Sequence, residues 1–259
     1  AFSWALGGPE KRSLVGPRLG ALFAVSSARA APPAGASLES VLWGQLSDRV
    51  RELLRGFSGV VGVDVVDLAS GRRLAVNEHA VFATASSIKT ALLVTALAKL
   101  GTPEGQGLAV PYVARAEDLV PSSPILKTLA LSGTSLTTRD LLGIMTATSD
   151  NTATNVLISR VGMESVNRFL DRAGLAKTRL GRKMLDGDAV KRGEENVSTP
   201  HELSLLYEKL WRGELLGRAQ TEEALRILSV DKHGFLEAGL PEEDGVVVYS
   251  KPGSLPGLR

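Results

Sequence analysis

From Ser86 to Leu100 the sequence follows a helical pattern that is apolar on most sides, with Ile88, Ala91, Leu92, Leu93, Val94 and Leu97 leaving little room for a solvated face. A helix of that kind belongs at the centre of a domain, so the rest of the chain must surround it. Leu38, Val41, Leu42, Leu46, Val50, Leu53 and Leu54 recur at helical intervals and predict an amphipathic first helix from about Ser37. Gly59 to Leu68 reads as a buried strand, and the turn Ala69-Ser70-Gly71-Arg72 returns the chain into Leu74 to Asn77 as a hairpin. Helices are predicted over Arg139 to Ala147, capped by Thr137 or Thr138, and over Ala153 to Arg160, begun by Thr152. Others follow over Met163 to Ala173, from Thr199-Pro200 through Leu203, Leu206 and Leu210, and over Thr221 to Val230. Gly101 to Pro124 and Gly181 to Ser198 read as irregular, and Val246 to Ser250 as a late strand. Two strands, many helices, then one strand indicate α+β or α/β organisation, not a pure bundle.

Composition narrows the chemistry. Thirty basic residues against 28 acidic ones give a formal net charge of +2, and the arginines are scattered, so no nucleic-acid partner is implied. The absence of cysteine excludes disulfides, thiolate metal sites and a cysteine nucleophile. His79, His201 and His233 lack metal-ligand spacing and read as surface or capping residues; the glycine pairs form no dinucleotide or phosphate loop. No cofactor is expected, and no stretch approaches the length of a membrane span. Lys11, Arg12 and Arg18 precede the apolar Leu19 to Val25, and Ala28-Arg29-Ala30 fits a cleavage signal. The start therefore resembles a signal peptide, which implies a periplasmic or secreted protein; an irregular leader is the alternative. Residues 1–36 are expected to be leader or linker and 37–259 the domain, with helices over about 86–230 and sheet elements near 57–78 and 245–253.

Ser86 and Lys89 stand one helical turn apart, on a shared face. Alone, that pair is weak, since a capping serine beside a solvated lysine produces it too. The surrounding Phe82, Ala83, Ala85, Ile88, Ala91, Leu92 and Leu93 change the balance, because partial desolvation disfavours a charged lysine and makes it a base for the serine hydroxyl. Ser149-Asp150-Asn151 falls in a connection between helices, with polar side chains free to face a cleft, and Lys251-Pro252-Gly253 follows the late strand.

Together, Phe82 to Lys89, Ser149-Asp150-Asn151-Thr152-Ala153-Thr154-Asn155 and Lys251-Pro252-Gly253 resemble the three motifs of the class A β-lactamase family, within the penicillin-recognising serine enzymes. The resemblance runs from about residue 38 onward. It implies an α+β fold with a helical domain beside an antiparallel sheet, and no cofactor. It makes Ser86 the nucleophile, Lys89 its base, Ser149 the proton relay and Asn151 the group that positions a substrate acylamino chain. Asp150 would brace its loop, and Asn155 would support the loop over the cleft. Lys251 would attract a substrate carboxylate, Gly253 would permit close approach, and the N–H groups of Ser254 and Ser86 would form an oxyanion hole.

Four departures accompany the likeness. Pro252 replaces the usual hydroxyl residue, and Ser122 stands where the family has an aromatic cleft wall. Arg182-Lys183-Met184-Leu185-Asp186 falls where the family has Arg-Trp-Glu-Pro-Glu-Leu-Asn, so the deacylating glutamate becomes Met184, with Asp186 or Asp188 as substitutes if the loop takes another path. The family's two further strands and final helix do not follow Lys251-Pro252-Gly253 before Arg259, so an incomplete or externally completed sheet is expected, with a complementary chain supplying the missing elements, a truncated sequence and a rearranged fold as the alternatives. The implied activity is that of a serine hydrolase taking a small-molecule acyl substrate, a β-lactam, through a covalent acyl-enzyme with slow deacylation. Carboxylesterase, D-alanyl peptide hydrolase and noncatalytic penicillin-binding-like protein are the alternatives.

Overall fold

The computed structural model describes residues 5–6, 37–102, 106–232, 238–239 and 245–257. The described residues fall into two compact units, one holding 37–61 and the other 5–6 with the described residues from 62 onward. In the first, α1 (Leu38–Arg55) starts where the pattern predicts, with Ser37 Oγ accepting the N–H of Ser40 at 3.2 Å.

The second unit holds four separate two-stranded antiparallel ladders. Ala5–Leu6, within the stretch read as leader, forms β1 against β8 (Val248–Tyr249), with Ala5 opposite Tyr249. The predicted hairpin is β2 (Val63–Val66) with β3 (Arg73–Val76), Val63 opposite Val76. Its turn closes as the Asp67 N–H donates to Arg72 O at 2.9 Å, and Gly71 takes φ 74°, which glycine adopts without strain. The strand is shorter than the apolar run because its four residues match the four of β3.

β4 (Phe82–Ala83) pairs with β7 (Val197–Ser198), and β5 (Pro111–Val113) with β6 (Ser135–Thr137). Ladders of two or three residues leave no alternation to read; β5 and β7 fall in stretches expected to be irregular, and no strand was expected at β4 or β6.

The predicted central helix is α2 (Lys89–Leu100), entered through a 3₁₀ turn at Ala85–Ile88. Every residue from Lys89 to Leu97 is buried. Around it lie α4 (Thr138–Ala147), α5 (Asn151–Val161), α6 (Met163–Arg172) and α9 (Arg218–Leu228), while α8 (Pro200–Trp211) adds Leu206, Tyr207 and Leu210 to the same core. Thr137 caps α4 through a reciprocal pair with Asp140, as expected. Asp150 rather than Thr152 caps α5, its Oδ1 accepting the N–H of Ala153 at 2.9 Å. Two helices went unread: α3 (Pro124–Ser132), although Pro124 in its first turn and Gly133 at φ 64° after it are the usual start and stop, and the short α7 (Gly187–Lys191). The fold is α+β, a helical domain beside antiparallel strands.

Candidate active site

The turn that carries Ser86 is held by the β4–β7 ladder. Thr84 donates both its N–H, at 2.9 Å, and its hydroxyl, at 3.0 Å, to Asn196 O. Ala85 then takes φ 48°, a left-handed conformation costing an alanine on the order of 1 kcal/mol. That twist presents two serines differently. Ser87 is buried and its hydroxyl donates to Thr84 O at 2.7 Å, whereas Ser86 is half-exposed at the helix entrance. Ser86 is therefore the serine a substrate can reach.

Gly253 sits directly on this turn. A Cβ there would lie 2.7 Å from Ser87 N and Thr84 O and 2.8 Å from Ser86 N, all rigid backbone. Lys251-Pro252-Gly253 is thus pressed against the Ser86 turn, and the exposed Ser254 follows it. Replacing Gly253 by Ala must push the two apart, and misplacement of that size is expected to slow acylation about 10²-fold with the helical core intact, as stopped-flow rates beside circular dichroism will show.

Lys89 is 1% exposed. Its Nζ donates to Ser149 O at 2.7 Å, Ser149 Oγ at 3.1 Å and Asn151 Oδ1 at 2.9 Å, which uses all three N–H groups of an ammonium; a bond to Ser86 Oγ is not among them. Burial pulls its pKa down to about 7, against an opposing pull from the Asp150 carboxylate. Lys251, 4% exposed, also reaches Ser149 Oγ at 3.1 Å and donates to Pro252 O at 2.9 Å. Burial, then Lys89 and Lys232, bring it to about 7 as well. Two lysines donating to one hydroxyl can occupy both of its lone pairs, which leaves the Ser149 proton free for another acceptor. Ser149 itself holds φ 57°, and its carbonyl and hydroxyl both meet Lys89.

The opposite wall is stitched to this loop. Asn151 donates from its N–H to Ser122 O and from Nδ2 to Pro121 O, each at 3.3 Å; Val120 N donates to Thr152 Oγ1 and Thr152 N to Ser123 Oγ, each at 2.9 Å. Asp150, fully buried, also accepts the N–H of Leu126 at 3.2 Å, the bracing expected of it. Ser122 is exposed at φ 57°.

The loop over the cleft, residues 182–195, is clamped at its neck. Arg182 pairs with Glu195 at 2.8 Å, and Asn196 Oδ1 accepts the N–H groups of Gly181 and Arg182 at 2.8 and 3.0 Å. Asn155 grips its middle, donating to Met184 O at 3.1 Å and accepting from Met184 N at 2.8 Å. The Met184 side chain, 7% exposed, joins the hydrophobic core. Asp186 is not joined to the lysine–serine network; it caps α7, accepting the N–H of Ala189 at 2.9 Å, while Asp188 pairs with Lys191 on the surface. Asp186→Asn preserves the cap and removes the carboxylate, so the lifetime of an acyl adduct is expected to stay unchanged, as decay of the adduct mass will show.

His79 and His201 meet edge to face with centroids 5.0 Å apart, and His201 lies 3.4 Å from the buried Asp64, which also pairs with Arg73 and Ser204. His233 lies outside the described residues. Among the described residues no cluster of three or more His, Asp or Glu side chains could hold a metal ion, and no helix is long and apolar enough to cross a membrane. Sequence reasoning missed the neck of the loop and the buried Thr90–Tyr207 pair, whose hydroxyls stand 3.1 Å apart behind the lysines. Polar residues inside otherwise apolar helices were the available signal.

Fold and site together define a scaffold of the penicillin-recognising serine enzymes. A profile of the Beta-lactamase enzyme family matches residues 45–259, and the chain belongs to that family, on its class A-like side. It is 31% identical over 193 residues to β-lactamase L2 of Stenotrophomonas maltophilia, covering 73% of this chain and 62% of that protein. To β-lactamase AST-1 of Nocardia asteroides it is 30% identical over 210 residues, 79% of this chain and 67% of the relative. The crystal structure of a β-lactamase from Sphaerobacter thermophilus superposes with a TM-score of 0.73 at 29% identity, covering 82% of this chain and 79% of that one. The match to L2 thus spans less than two thirds of that relative.

Proposed function

We propose that this chain is a serine hydrolase of β-lactams that forms a covalent ester on Ser86 and releases it slowly. The observation that carries the reading is the convergence of Lys89, Ser149, Asn151 and Lys251 in one hydrogen-bonded network beside an accessible serine. With a pKa of about 7, Lys89 holds a large neutral fraction at neutral pH. Turned from its present partners, the free amine takes the Ser86 proton as Oγ attacks the lactam carbonyl. The oxyanion is received by the N–H groups of Ser86 and Ser254. Collapse breaks the C–N bond, Ser149 gives its free proton to the nitrogen, and the Lys89 ammonium restores it through their shared hydrogen bond.

Hydrolysis of the ester needs a base for water, and at the position of the family's glutamate stands a methionine turned into the core. That supports accumulation of the acyl-enzyme. Pro252 withholds a hydroxyl from the substrate carboxylate, so Lys251 is left as its principal attraction. Intact-protein mass after incubation with a penicillin is expected to rise by the whole mass of the drug in the parent and not in Ser86→Ala. Turnover of aryl esters or D-Ala-D-Ala peptides without any β-lactam adduct would replace this reading.

A further inference from the structure

The segment from Val120 to Leu126, which leads into α3, is bound along its length to the residues that open α5. Val120 N donates to Thr152 Oγ1 and Thr152 N to Ser123 Oγ, each at 2.9 Å. Asn151 gives Nδ2 to Pro121 O and its backbone N–H to Ser122 O, each at 3.3 Å, and Leu126 N donates to Asp150 Oδ2 at 3.2 Å. Midway along this seam Thr152 Oγ1 donates to Ser123 Oγ at 2.7 Å. Thr152 is 0% exposed and Ser123 5%, so a bond lost here is not replaced by solvent. Neither hydroxyl is spent on a helix end: Asp150 already caps α5, and the Ser123 side chain makes no cap bond to α3.

The hydrogens order themselves. Ser123 Oγ receives both the N–H and the O–H of Thr152, which fills its two lone pairs, and Thr152 Oγ1, its own proton given, accepts from Val120. Backbone is thereby fixed on both sides of Ser122, an exposed serine at φ 57°. Thr152 also follows Asn151, whose Oδ1 takes the Lys89 Nζ at 2.9 Å and whose Nδ2 keeps a second proton beyond the one given to Pro121. We propose that Thr152 is a positioning residue that, through Val120 and Ser123, sets the gap between Ser122 and the Asn151 amide, and so selects for the acylamino side chain of a substrate. This rests on the catalytic reading above only for its kinetic arm. Without the hydroxyl, the Val120 N–H has no acceptor and Ser123 Oγ loses a donor inside a dry seam; the segment turns them toward water and the gap opens.

The test sets the parent against Thr152→Val, which keeps the shape and removes the hydroxyl, and Thr152→Ser, which keeps the hydroxyl. Acylation is timed with benzylpenicillin and with 6-aminopenicillanic acid, which bears a free amine in place of the acylamino chain. In Thr152→Val the ratio of the first rate constant to the second is expected to fall about tenfold, and in Thr152→Ser to stay within about twofold of the parental ratio. A loss of stability alone lowers both rates together and leaves the ratio as it was. Hydrogen exchange needs no chemistry: the Val120 amide should exchange about tenfold or more faster in Thr152→Val and close to the parental rate in Thr152→Ser. A folded Thr152→Val with the parental ratio overturns the proposal, as does a Thr152→Ser that loses as much. Should Thr152→Val not fold, Ser123→Ala, which removes the acceptor of both Thr152 bonds, takes its place under the same outcomes. If the parent never acylates, the function proposed above fails and the Val120 exchange alone decides this inference.

Discussion

Lys89→Met is expected to slow acylation of Ser86 by about 10²–10⁴-fold, the range a positioned general base contributes. The side chains are similar in length, so the buried site stays filled, and a charge inside the core is removed rather than added. The pH profile gives the sharper reading. In the proposed mechanism Lys89 works as the free amine, so below its value of about 7 each pH unit should remove about nine tenths of the active form. Lys251 works there as the cation, so above about 7 the loss should run the other way. The parent rate should peak close to pH 7 and fall on both sides, with the two limbs belonging to the coupled pair. In Lys89→Met the acid limb should vanish. A variant acylating within a factor of about ten of the parent would take the base role away from Lys89.

Met184→Glu should convert slow release into turnover. Asn155 holds residue 184 through both its N–H and its carbonyl, so the new carboxylate starts from a fixed origin on a loop whose neck is clamped by Arg182 and Glu195. A base that activates water is expected to shorten the life of the acyl-enzyme about 10²–10⁴-fold. Burying a carboxylate in place of an apolar side chain has a cost, of about 1–3 kcal/mol or more where no partner is found, and the melting temperature should fall accordingly. Single-turnover acylation followed by decay of the adduct mass separates the two steps. An adduct equally long-lived in a folded Met184→Glu would show that the loop, not the missing carboxylate, limits release.

The readable and unreadable parts of this site divide by sequence distance. Ser86 with Lys89, Ser149 with Asn151, and Lys251 with Gly253 lie close together in the chain, and each group carries its chemistry on its own turn or strand end. The core was legible for a similar reason: the apolar pattern of α2 requires surrounding helices, and it has them. Asp186 was readable as a base by its position in the motif, yet the structure engages it with Ala189, a cap whose spacing was equally present in the sequence. Asn155 with Met184, Arg182 with Glu195 and Tyr207 with Thr90 are pairings between residues far apart in the chain. In each, one partner looks ordinary within its own element until the fold supplies the other. The two- and three-residue ladders failed for want of periodicity, and β1 had nothing in a leader-like composition to announce it.

Ala85, Ser122 and Ser149 all carry left-handed backbone without being glycine; Ala85 precedes Ser86, Ser122 O accepts the N–H of Asn151, and Ser149 meets Lys89 and Lys251. Glycine at any one of them would relax the chain by something on the order of 1 kcal/mol. Random change filtered for heat resistance alone would therefore drift toward those glycines, and each step would soften the wall that holds the nucleophile, the relay or the entrance. Catalytic shape and durability pull in opposite directions at these three codons. A library selected only for thermostability should accumulate its losses of activity there, while the helices behind remain as ordered as before.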